Sequence, residues 1–239
     1  MKTQDIEYQV DGRKYVGYLA DGSNGRKTAG VLVAHEGGGM TGHPKERARM
    51  LAELGYVAFA MDTFGEAISS REQAMSIITE LMNDLPTLRK RARAALDLVK
   101  SQPAVDPART AAIGFCFGGT TVLELARSGA DLRCVVGFHS GLSTTAPQEA
   151  RNIRCKVMVC LGEGDPIISR EQRDAFIKEM RDGRVDWQML LYGGVGHSFT
   201  NREVDAIGIP GFKYDQLADQ RSWRAMRDLF DETLGPLSA

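Results

Sequence analysis

The chain has 239 residues, 43% of them apolar and 26% charged, and a formal net charge of −1. That length suits one α/β unit with a substantial core. The charge balance offers no basic face for nucleic acid or an anionic membrane surface, and no apolar run approaches bilayer-spanning length. The first ten residues are polar and lack the apolar stretch of a secretory signal. The cysteines, Cys116, Cys134, Cys155 and Cys160, lack zinc-type spacing, so reduced thiols in the cytoplasm are the expected state.

Two short alternating runs, residues 6–10 and 14–19, flank Asp11-Gly12, a dipeptide that suits a tight hairpin turn. Continuous apolar runs follow at 29–34, 57–61, 110–115, 134–138, 156–161 and 187–192. Short runs rich in β-branched residues suit strands buried on both faces of a parallel sheet. Helical segments fall between them. Pro44 stands at the expected first helical position before 45–54, and Gly55 closes that segment. Ser70-Arg71-Glu72-Gln73 has capping-box spacing and opens a helix expected to carry Met75, Ile78, Leu81 and Met82 on one face. Pro86 breaks that helix, and a second continues through Lys100. Residues 120–127 read as helix, Ser169-Arg170-Glu171-Gln172 caps another that ends near Met180, and 221–234 form an amphipathic final helix. The expected architecture is one α/β domain over 1–239: a mostly parallel sheet, helices on both faces and an antiparallel N-terminal hairpin.

In such sheets function gathers beyond the carboxyl ends of the strands. The third run is followed by His35, Glu36 and Gly37-Gly38-Gly39, the fourth by Asp62-Thr63-Phe64 and the sixth by His139-Ser140. The seventh is followed by Gly162-Glu163-Gly164-Asp165-Pro166, and the eighth by a glycine-rich stretch that reaches His197-Ser198-Phe199. The fifth run leads into Gly114-Phe115-Cys116-Phe117-Gly118-Gly119, the most informative segment of the chain. Strand, sharp turn and helix, with a glycine two residues before and two after the central position, is the arrangement of a nucleophile elbow. A cysteine in apolar surroundings is commonly a small buried hydrophobe, and a glycine-rich turn can cradle a phosphate. The spacing, however, fits neither Gly-x-Gly-x-x-Gly nor a Walker loop. Cysteine, acid and histidine occur in the chain order of α/β-hydrolase nucleophile, acid and base.

On these residues the chain resembles the dienelactone hydrolase family, within the α/β-hydrolase fold. The likeness rests on the Gly-x-Cys-x-Gly-Gly elbow, the Gly-x-x-Asp-Pro loop, the Gly-His-Ser-Phe segment and Glu36 after the third strand, and it covers nearly the whole chain. The resemblance implies Cys116 as nucleophile, Asp165 as orienting acid, His197 as general base and Glu36 as a partner of the resting thiol. The family's best-known members hold a substrate carboxylate with two arginines. Arg71 matches one of them, while the other position is Asn201, with Arg202 beside it, and Met75 and Ile78 stand where aromatic residues are found. Asn cannot reproduce a planar bidentate grip, so ring opening of a dienelactone is not expected. Arg71, Asn201, Ser198 and His139 are candidate substrate contacts, although Arg71 equally suits a solvated helix start.

The roles also follow from chemistry. A free thiol titrates near about 8.5 and needs a base or a positive field to attack at neutral pH. His197 can take the proton, and an acid behind it fixes the tautomer. Asp165 and Glu163 compete for that place, and Asp165, before Pro166, also suits a simple turn. The amide of Phe117, after the nucleophile, is one expected oxyanion donor. Gly37 or its neighbour is the other, unless the glycine run is only a flexible turn. The expected reaction is hydrolysis of a small ester or lactone through a thioester. A thiol redox or sensor protein using Cys116 is one alternative, although no second cysteine lies in a nearby motif. A non-catalytic small-molecule-binding member of the fold is the other. No His-rich spacing points to a metal, no cofactor is expected, and the oligomeric state is not legible.

Overall fold

The computed structural model describes residues 1–237. Asp11 and Gly12 both take positive φ, 51° and 76°, and close the two-residue turn between β1 (Lys2–Val10) and β2 (Arg13–Asp21). The sheet continues through β3 (Thr28–Ala34), β4 (Val57–Met61), β5 (Val105–Phe115), β6 (Cys134–Phe138), β7 (Lys156–Gly162) and β8 (Trp187–Tyr192). Its order is β1-β2-β4-β3-β5-β6-β7-β8. Pairings β1/β2 and β2/β4 are antiparallel, and all others are parallel. Every residue of β3, β4 and β6 is buried. This is the α/β-hydrolase fold, a mostly parallel sheet with an antiparallel N-terminal hairpin.

Alternation along the strands divides the core into two layers. Val31, Val33, Ala111, Ile113 and Phe115 pack on the side of α1 (Gly42–Glu53) and α6 (Gln216–Leu234). Leu32, Ala34 and Ala112 face α3 (Leu85–Lys100), α4 (Phe117–Arg127) and α5 (Arg170–Asp182). The remaining helix, α2 (Arg71–Asn83), packs with α3 around a smaller apolar cluster that includes Phe64, Leu81 and Phe117. None of the helices among the described residues is long and apolar enough to cross a membrane.

Several helix starts differ from the sequence expectation. Thr41 occupies the N-cap position of α1 without a side-chain bond, and Pro44 is the third residue of that helix rather than its first. Asp215 caps α6 through the Ala218 amide, which starts that helix five residues ahead of the amphipathic stretch. Ser70 does cap α2 through the Gln73 amide, but the Gln73 carbonyl reaches back to Ser69 instead of closing a reciprocal box. Met75 is 50% exposed, and Ala74 and Leu81 are the buried residues of α2.

On the α3–α5 side lies a buried ionic network. Arg127, with no exposed surface, donates from Nε and Nη2 to Glu179, from Nη1 to Glu124 and from Nη2 to the Leu142 carbonyl. Arg89 donates to the far oxygen of Glu124 and pairs with Glu149. Each charge therefore meets an opposite one, the condition under which buried ions are tolerated.

Candidate active site

Cys116 joins β5 to α4 with φ 51° and ψ −117°, a strained conformation for a residue with a side chain. Glycines make the turn possible. A Cβ on Gly114 would fall 2.0 Å from the Gly118 carbonyl oxygen, and one on Gly118 would fall 2.2 Å from the Ala34 oxygen. The Cys116 amide is shared between the Phe138 carbonyl at 2.9 Å and Nδ1 of His139 at 3.1 Å. The cysteine is half-buried, against the apolar cluster of Phe64 and Phe117.

His197 enters from the loop after β8, where its backbone bonds to Gly211 and Lys213 fix its position. Nδ1 donates to Asp165 Oδ2 at 2.7 Å, which leaves Nε2 for other chemistry. Asp165 meets both its own turn and the imidazole. Its Oδ1 accepts from the amides of Ile167 and Ile168 while Oδ2 holds the imidazole. Glu163 is exposed and accepts from the Gly194 amide instead. His197 Nε2 is buried and makes no hydrogen bond of standard geometry to the described residues. Burial disfavours the imidazolium, but the neighbouring Cys116 sulfur and the Asp165 carboxylate outweigh it and lift the His197 pKa to about 10.

His139 faces inward. It is fully buried, with φ 41°. Because Nδ1 accepts from the Cys116 amide, its proton sits on Nε2, which donates to Thr200 Oγ1 at 2.8 Å. Thr200 Oγ1 lies 3.3 Å from His43 Nε2, which also accepts from Arg47. Arg47 pairs with Asp219 at 2.9 Å and donates to the Thr200 carbonyl. Burial pushes the pKa of His139 well below 6.5, aided by the charges of His197, His43 and Arg47; burial and Arg47 push that of His43 down to about 3. Both rings are neutral links between the elbow and the His197 loop. Sequence reasoning missed His43, Arg47 and Thr200, whose only signal was polar residues at positions that a helix or loop buries.

Asn201 and Ser198 also turn inward, toward Glu36. Asn201 Nδ2 donates to Glu36 Oε2 at 2.6 Å, and its Oδ1 accepts from the Glu203 amide. Ser198 bonds Glu36 too. Burial raises the Glu36 pKa, moderated by these two bonds and by the charges of His197 and Arg47. Glu36 Oε1 is buried without a hydrogen bond, 3.9 Å from His139 Nε2. The expected substrate contacts Asn201, Ser198 and His139 thus spend their polar atoms on the protein itself. Arg71 is exposed at the first residue of α2.

Gly37 follows His35, whose carbonyl oxygen would lie 2.6 Å from a Cβ on Gly118 of the elbow. His35 donates from Nδ1 to the Glu36 carbonyl at 2.6 Å and accepts at Nε2 from the Thr63 amide at 3.0 Å. Phe117, as the first residue of α4, has an amide with no acceptor inside its own helix. No group of three or more His, Cys, Asp or Glu side chains among the described residues is arranged to hold a metal ion.

The family model of the dienelactone hydrolase family matches residues 16–234. The chain belongs to that family. This dienelactone hydrolase-family chain is 48% identical to the solved structure named m3DLH, with a TM-score of 0.93 and coverage of 97% of this chain and 98% of that one. It is 41% identical to a dienelactone hydrolase-like promiscuous phosphotriesterase from metagenomic libraries, with a TM-score of 0.91 over the same shares. A protein of Aquifex aeolicus with the provisional name carboxymethylenebutenolidase is 28% identical over 87% of this chain and 91% of its own length.

Proposed function

We propose that this family member is a hydrolase of small carboxylic esters or lactones that works through Cys116, His197 and Asp165 and a thioester acyl-enzyme. The observation that carries the reading is the 2.7 Å bond from His197 to Asp165, on an imidazole whose pKa the Cys116 sulfur raises. The Cys116 thiolate adds to the carbonyl carbon, and the oxyanion is received by the amides of Phe117 and Gly37. As the carbonyl re-forms, the C–O bond breaks and the alkoxide takes the proton from the His197 imidazolium. Acylation removes the negative charge from sulfur, so a cause of the raised His197 pKa disappears and the imidazole becomes a base. It then takes a proton from water as the water oxygen attacks the thioester, which releases the acid and restores the thiolate–imidazolium pair. Glu36, buried beside this pair, is the reserve proton site. Similarity to the promiscuous phosphotriesterase favours a second reading in which the same sulfur attacks a neutral phosphotriester.

The test is burst kinetics with p-nitrophenyl acetate. Cys116→Ala abolishes the burst, and His197→Ala lowers kcat by about a thousandfold or more. Retained turnover in both variants sinks the proposal. With an alkyl ester, whose alkoxide needs the imidazolium proton, the acylation rate falls as pH passes through about 10. Burst amplitude with a p-nitrophenyl dialkyl phosphate checks the second reading.

A further inference from the structure

The loop opposite the nucleophile is walled by hydrocarbon. A Cβ at Gly37 would lie 3.3 Å from Ile78 Cδ1, and one at Gly39 would lie 3.3 Å from Ile68 Cγ1. Phe64 stacks on Phe117 with ring centroids 5.9 Å apart, and Ile68, Ile78 and Cys116 all pack against the cluster those rings belong to. Ile68 and Ile78 are half-buried, so part of each remains open toward solvent beside the half-buried sulfur.

The cations described near this wall are engaged elsewhere: the buried Arg91 donates to the Thr63 carbonyl and lies over the Tyr15 ring. Asn201 has both amide ends committed, to Glu36 and to the Glu203 backbone. The Arg202 guanidinium lies over the Tyr214 ring at 5.9 Å. Arg47 is matched by Asp219, and Arg71 sits at the solvent-exposed start of α2. Two carboxyl groups, Glu36 and Asp165, flank the reacting pair. A substrate carboxylate pressed against this surface would be desolvated without a partner, and that carries a steep penalty.

We propose, building on the ester-hydrolase reading above, that the site selects esters whose acyl group is uncharged and apolar over carboxylate-bearing ones, and that Ile78, with Ile68, determines that specificity. The acyl group lies along the solvent-open parts of Ile68 and Ile78 while its carbonyl carbon faces the sulfur.

The experiment compares kcat/KM for p-nitrophenyl butyrate and p-nitrophenyl hemisuccinate, which match in acyl length and differ by one carboxylate. The neutral ester is expected to win by at least about tenfold. Ile78→Arg, which places a cation in the wall, is expected to reduce that ratio by about tenfold, whereas Arg71→Gln leaves the ratio in place. A hemisuccinate ester hydrolysed as well as the butyrate overturns the proposal, as does a tenfold rise of the ratio in Arg71→Gln, which would mark Arg71 as a carboxylate anchor. A second readout does not require turnover. Alkylation of Cys116 by a neutral chloromethyl ketone and by a carboxylate-tailed one of equal length is followed by mass spectrometry, each rate normalised to that of N-acetylcysteine. A protein inert to every ester that still prefers the neutral alkylator breaks the hydrolase reading and keeps the selectivity. Equal normalised alkylation with intact ester turnover does the reverse.

Discussion

Two buried polar clusters lie on opposite sides of the same sheet, and they are built to different standards. Around Arg127, the carboxylates of Glu124 and Glu179 each hold a guanidinium at hydrogen-bonding distance with both oxygens. Around His197, the atoms Glu36 Oε1 and His43 Nδ1 are buried without a hydrogen bond, and His197 Nε2 has none of standard geometry. An unmet buried polar atom costs about 1–3 kcal/mol. A fold tolerates several of them together where chemistry needs open valences, and it compensates elsewhere. The first cluster holds the chain together, and the second keeps polar capacity in reserve beside the strained Cys116.

The largest expected effect comes from breaking the satisfied cluster. Arg127→Met strands Glu179, leaves Glu124 with Arg89 alone, and should cost about 3–5 kcal/mol by denaturant titration. Replacing Arg127, Glu124 and Glu179 together with apolar residues should cost less than the single change. If the two clusters are independent, kcat per folded molecule stays at its wild-type value in both variants.

Acid should distinguish the clusters next. Burial, as the first cause in each, depresses the pKa of His35, His43 and His139. A depressed histidine gives stability that is present above its unfolded pKa of about 6.5 and is lost as pH falls below it, by about 1.4 kcal/mol per pH unit for each ring. For His43 the loss runs on toward about pH 3. Glu36, whose pKa burial raises, offsets part of this because the folded state takes up its proton first. The thermal midpoint should therefore drop between pH 6.5 and 5, and His43→Gln should flatten that slope. An unchanged slope would mean that His43 is already charged in the fold. His197 runs the other way: its raised pKa gives stability present below about 6.5 and lost as pH rises through about 10.

The smallest effect sharpens the functional side. Cys116→Gly removes the side chain from a φ of 51° and should raise stability by up to about 1 kcal/mol while ending turnover. A destabilised glycine variant would show that the elbow is held by contacts of the sulfur rather than against strain.

The inner strands were legible because they are buried on both faces. The runs 57–61 and 134–138 coincide with β4 and β6, since continuous hydrocarbon of that length has few other uses, whereas 187–192, expected to be buried in the same way, forms the half-exposed edge strand β8. The helices were less so. Met75 looks like a core residue by type but is turned outward, and the N-cap of α6 precedes its amphipathic stretch. Strand-end logic places Cys116, Asp165 and His197 on one rim, because topology orders those loops. What holds them was not legible. The path from Cys116 through His139 and Thr200 to His43 uses four residues from three distant loops and one helix start, with no period or spacing to reveal it.

The crowding at Gly114, Gly118 and Gly119 also sets how this scaffold can be altered. Any side chain at these positions would overlap backbone or the Ser140 hydroxyl at 1.7–2.2 Å, so combinatorial libraries that randomise the elbow would be filled with unfolded members. Diversity placed on the outward flank of α2 meets no such constraint. New catalysts from this chain are therefore best sought by rewriting one helix while three glycines are left untouched.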